Sequence, residues 1–151
     1  MTDTFSTKGL DQLIKLFGKK MPKVQVGIFE NSNGRADHGG PTNAEIGRNH
    51  EYGTDILPVR SWLRMPLQDQ FQKAVEKAGF TKKTVKEMIQ NGAVFQLFNE
   101  LAIVAEGVVL EGFNSGGYGK WKPSNMARKK NHQTLVETQQ MRNAVGSRVV
   151  K

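Results

Sequence analysis

The stretch Ala93–Gly112, AVFQLFNELAIVAEGVVLEG, governs how the rest of the chain is read. Val94, Phe95, Leu97, Phe98, Leu101, Ala102, Val104, Ala105, Val108 and Val109 leave only a strip of Gln96, Asn99, Glu100 and Glu106 polar. A helix apolar over most of its circumference must be covered on several sides, by its own domain or by neighbouring subunits. This segment is therefore predicted to be the central helix.

Upstream of it, Asn91-Gly92 is a stop signal for a helix that Thr81 caps and that turns Val85, Met88 and Ile89 inward. Leu67, Phe71, Ala74, Val75 and Ala78 mark another amphipathic helix, closed by Gly79. Leu57 and Met65 each precede a proline and are expected to be extended. Before them, AEIGRNHEY reads as a short helix capped by Asn43, with Gly53 just past its end. The segment at 31–42 holds NSNGRADHGGP, which has no periodic apolar residue and reads as a flexible loop. Val24, Val26 and Ile28 alternate with Lys23, Gln25 and Gly27 as in a half-buried strand. Leu10, Leu13, Ile14 and Phe17 form one apolar stripe on a first helix within 6–20.

Downstream, NSGGYGK breaks the helical pattern, and WKPSNMARKKN follows as a loop. A last short helix is expected over Thr134–Ala144, with a final strand at Ser147–Lys151. The whole chain, 1–151, then reads as one α+β domain. A small, mostly antiparallel sheet holds Val24–Phe29 and the C-terminal strand, packs against the long central helix, and is joined by several short helices and long loops.

Composition narrows the chemistry. None of the 151 residues is Cys, so disulfides, thiolate metal sites and thiol nucleophiles are excluded. No stretch approaches the roughly 18 consecutive apolar residues that span a bilayer, and the N-terminus lacks the pattern of a secretory signal. The net charge is +8. Residues 117–151 carry eight bases against the single acid Glu137, so almost all of the excess lies in that basic segment. It is either a solvated face or a surface for a polyanion or an acidic partner. The phosphate-loop, dinucleotide, zinc-protease and nucleophile-elbow motifs are absent. Asp37-His38 and His50-Glu51 are the pairs that could serve metal or acid-base chemistry. Trp62 and Trp121 sit in basic, proline-bearing loops, where an aromatic serves as a core plug, an interface anchor or a stacking platform.

In order, the segments resemble the phage tail-completion and neck proteins, the lambda Z-like group also labelled virion morphogenesis or minor tail protein. KGLDQLIKLFGKK and VQVGIF are similar to that family's opening helix and "V-x-V-G" strand. Ala44–Thr54 is similar to "A-x-x-x-x-x-x-E-[FY]-G-T", and Leu57–Arg64 to "I-P-x-R-P-[FW]-L-R". Trp121–Lys130 resembles "W-x-P-L-x-x-x-T-x-x-x-K", and Leu135–Val145 resembles "L-I-D-T-G-x-L-x-x-S-I". Gln139 stands where the family usually has Gly, Ser61 where it often has Pro, and Ala144 where it has Ser.

The resemblance implies a structural, non-enzymatic subunit that completes the head-proximal end of a phage tail and joins it to the head connector. It implies a homo-oligomeric ring, a hexamer, beside neighbouring neck and tail-tube or terminator proteins, in the virion and earlier in the host cytoplasm. No cofactor, metal or membrane enters this reading. Arg60, Trp62, Trp121 and Pro123 would anchor the two characteristic loops. Lys120, Lys122, Arg128, Lys129 and Lys130 would contact a partner protein or, without base specificity, DNA in the channel. The rival readings are a basic nucleic-acid-binding module outside any virion and a small hydrolase using His50-Glu51.

Overall fold

Lys23–Ile28 forms strand β1, and it pairs antiparallel with β2, Val145–Val150, in a register running from Lys23 opposite Val150 to Ile28 opposite Val145. The computed structural model describes residues 22–34, 39–114 and 139–151, together with Lys15. The expected first helix, apart from Lys15, lies outside the described residues, as do Asp37-His38 and residues 115–138. β2 starts two residues before the expected Ser147, because Val145 and Gly146 pair with Ile28 and Gly27. Phe29 stacks under the Arg148 guanidinium, 4.3 Å from its ring centroid, which secures one end of the ribbon.

Between the strands run α1 (Asn43–Tyr52), α2 (Arg64–Lys77), α3 (Lys82–Gln90), α4 (Val94–Asn114) and the single turn α5 (Gln140–Asn143). The architecture is α+β, as expected. One long helix backs a two-stranded sheet and packs against α2, with α3 at its side. Trp62, Val109, Phe113, Met141 and Val145 form the buried centre, with Val26, Ile28, Ile46, Leu63, Leu67 and Leu110 around it. The Trp62 and Phe113 rings meet at 5.7 Å in a tilted pair.

Three local expectations are corrected. Thr42, not Asn43, caps α1: its hydroxyl accepts from the Glu45 amide while the Glu45 carboxylate accepts from the Thr42 amide. That backbone hydrogen bond, with one from the Thr42 hydroxyl, holds the Glu45 carboxyl below its ordinary pKa. Asn43 instead turns inward, and its side-chain amide donates to the Ser32 and Gly34 carbonyls. The start of the expected loop is thus a 3-10 turn, Glu30–Ser32, fastened to α1. Asn33 completes the fastening, its carbonyl accepting from Asn43 and its side chain from Ala44. Finally, Met65 is helical although a proline follows, because Pro66 falls in the first turn of α2, where an amide hydrogen has no intrahelical acceptor to lose.

Around α4 the sheet, α2 and α3 cover three sides. The exposed side carries the expected Gln96 and Asn99, and also Phe95 and Ile103.

Candidate functional site

The segment from α1 to α2 brings Ala44–Thr54 and Leu57–Arg64 together around one carboxylate. Glu51 is in the last turn of α1 and is buried. Its Oε2 accepts from the Trp62 amide at 2.9 Å and the Leu63 amide at 3.0 Å. Its Oε1 accepts from the Ser61 hydroxyl at 2.7 Å and the Arg64 amide at 3.2 Å, with the Arg64 Nε 3.6 Å away. Leu63, the residue before α2, has no side chain able to cap it. Glu51 takes that role from twelve residues upstream, placing negative charge at the positive end of the helix. Ser61 extends the clamp, its hydroxyl accepting from the Met65 amide at 2.9 Å.

Trp62 closes the same joint. Its indole Nε1 donates to the Gly47 carbonyl at 2.8 Å, and its ring lies so close to α1 that a Cβ on Gly47 would stand 2.9 Å from Cζ2. Glycine at 47 is what lets the ring seat between α1 and Phe113. Arg60 is buried beside it, its amide donating to the His50 carbonyl at 2.7 Å. Burial lowers the Arg60 guanidinium below its ordinary pKa.

Between these fixed points, residues 52–59 project outward. Gly53 adopts φ +75°, a left-handed conformation at which a Cβ would also meet the Leu57 carbonyl oxygen at 3.0 Å. Thr54 and Leu57 exchange two backbone hydrogen bonds, of 2.9 and 3.3 Å, and the Thr54 hydroxyl accepts from Leu57 at 3.1 Å. The turn is therefore held from within, yet it displays apolar side chains: Tyr52 is 69%, Ile56 88% and Val59 49% exposed. Nothing in the periodicity of TDILPV marked Ile56 and Val59, since they belong to no regular element.

Of the sequence-predicted anchors, the structure places Arg60 and Trp62 in this joint. Trp121 and Pro123 lie outside the described residues, together with Lys120, Lys122, Arg128, Lys129 and Lys130. The Glu51 carboxylate is engaged by backbone amides and Ser61, and so works as a helix cap. Among the described residues no group of three or more His, Asp or Glu is placed to hold a metal ion. Nor is any helix among them long and apolar enough to cross a membrane. Gln139 has φ +59°, the left-handed conformation that glycine adopts most readily. Against family models, curated proteins and solved structures, the chain finds no match.

Proposed function

We propose that the protein is a structural subunit of a tailed-phage neck, forming a ring that completes the head-proximal end of the tail and joins it to the head connector. The observation that carries this reading is the Glu51 clamp. The motifs Glu51–Thr54 and Leu57–Arg64, which resemble the tail-completion family, are the two halves of one hydrogen-bonded joint. Gln139 supports it separately, because the backbone there has the conformation that a family glycine would serve.

The joint also suits an assembly subunit physically. It fixes a rigid apolar turn on the surface, and an exposed apolar group held in place loses little conformational entropy when a partner covers it. The basic segment at 117–151 would then face an acidic surface of an adjoining ring or the DNA in the channel.

Light scattering and negative-stain imaging across protein concentration, with purified tail tubes added, test the reading. Closed rings, alone or capping one end of the tubes, are expected. A monomer that ignores tubes yet binds DNA with affinity falling steeply with salt would overturn it and favour the nucleic-acid-binding module.

A further inference from the structure

A groove of about 530 Å³ runs between α2 and α4. Ala74, Val104, Gly107 and Val108 supply apolar lining, Lys73 and Lys77 supply positive charge, and Glu111 supplies one negative charge. The space beside Gly107 is open: a Cβ placed there would meet no atom within 4 Å. One helical turn before it, Ile103 is 68% exposed and extends the apolar surface along α4.

We infer that the turn at 52–59 of one copy inserts Ile56 into the α2–α4 groove of the next copy, in a head-to-tail contact. This rests on the ring reading for its closure, since a heterologous contact closes into a ring or continues as a filament according to its rotation. Three features favour a second copy in this geometry. The turn is convex and rigid while the groove is concave, so the two shapes complement each other but neither complements itself. The charge on the turn is Asp55, beside Ile56, and the groove, with Lys73 and Lys77 against Glu111, is net positive. A symmetric contact would instead oppose Asp55 to Asp55, or one net-positive groove to another, which disfavours it. Burying Ile56 also removes the most exposed large apolar side chain of the described residues from water.

The Cys-free chain permits a direct test. I56C and G107C are prepared as separate variants, mixed in equal amounts and oxidised, since a disulfide forms only where the two Cβ atoms come within about 4.5 Å. The expected product is a 1:1 disulfide-linked heterodimer, with each variant alone remaining uncrosslinked. In the otherwise native chain, Ile56→Asp is expected to weaken self-association about ten- to hundredfold. Its melting temperature, measured alongside, should match the wild type and so show that the fold is intact.

Rings that form normally with Ile56→Asp and give no 56–107 cross-link would overturn this contact while leaving the ring reading in place. A dominant 56–56 homodimer would overturn the head-to-tail geometry. Filaments carrying the 56–107 cross-link would uphold the contact and overturn the ring. A wild type that stays monomeric with tubes present, and gives no cross-link, would overturn both.

Discussion

The two ends of the segment from Tyr52 to Arg64 invert the usual placement of residue types. At one end Arg60 and Ser61 are buried with Glu51; at the other Tyr52, Ile56 and Val59 stand in solvent. Hydrogen bonding explains the first end. Every oxygen of Glu51 has donors, so its burial strengthens those bonds and does not strand a charge. No such term explains the second, because exposing Ile56 gains the isolated fold nothing. The inner end is built for stability, and the outer end is where the proposed contact with a second copy would form.

Breaking the inner end should have the largest effect. Glu51→Ala leaves the Trp62, Leu63 and Arg64 amides and the Ser61 hydroxyl without their acceptor in a buried site. Removing one partner of such a buried network costs about 3–5 kcal/mol, or roughly a 10 °C fall in the thermal midpoint for a domain of this size. Calorimetry should show it, and Glu51→Gln, which keeps one acceptor oxygen, should fall between the variant and the wild type. A midpoint unchanged by Glu51→Ala would remove the distinction between the two ends.

Gly47→Ala probes the same joint from the α1 side. The added methyl would lie 2.9 Å from Trp62 Cζ2, and the ring cannot retreat freely because its Nε1 is bonded to the Gly47 carbonyl and its face meets Phe113. Overpacking of this kind costs about 1–3 kcal/mol, so the loss should be smaller than that of Glu51→Ala. Chemical denaturation would measure it, and a stability equal to wild type would mean that Trp62 has room to move.

How much of this was legible in the sequence depends on the range of the interactions. The strand at Val24–Ile28, the stop at Asn91-Gly92 and the cap at Thr81 were readable, because period, cap and terminator all lie within a few residues. The start of α2 was not. Its cap comes from Glu51, so no local signal outweighed the bias of a residue before proline, and Met65 read as extended. Asn43 misled for the opposite reason: a residue suited to capping was recruited to hold the Ser32 and Gly34 carbonyls while Thr42 capped the helix. The groove depends on which faces α2 and α4 present to each other, and one-dimensional periodicity cannot give that.

Gln139 offers a smaller change of opposite sign, at a site remote in sequence from both ends. A non-glycine residue in the left-handed region costs about 1–2 kcal/mol, and glycine gives part of that back through its greater freedom in the unfolded chain. Gln139→Gly is therefore expected to stabilise by about 0.5–1 kcal/mol, read as a raised denaturation midpoint. Gln139→Ala keeps the Cβ and should show no comparable gain. A destabilised Gln139→Gly would mean that the Gln side chain contributes more than its backbone conformation costs.

The sharpest test of the comparison is the one expected to change stability least. Ile56→Ser removes a large apolar side chain, which in a core would cost several kcal/mol. At 88% exposure, in a turn fastened by Thr54 and Leu57, it should shift unfolding by no more than about 0.5 kcal/mol. If stability fell by several times that amount, Ile56 would be supporting the fold and the outer end would resemble the inner one. If stability holds while self-association is lost, the same substitution separates what the turn does for its own chain from what it does for the next.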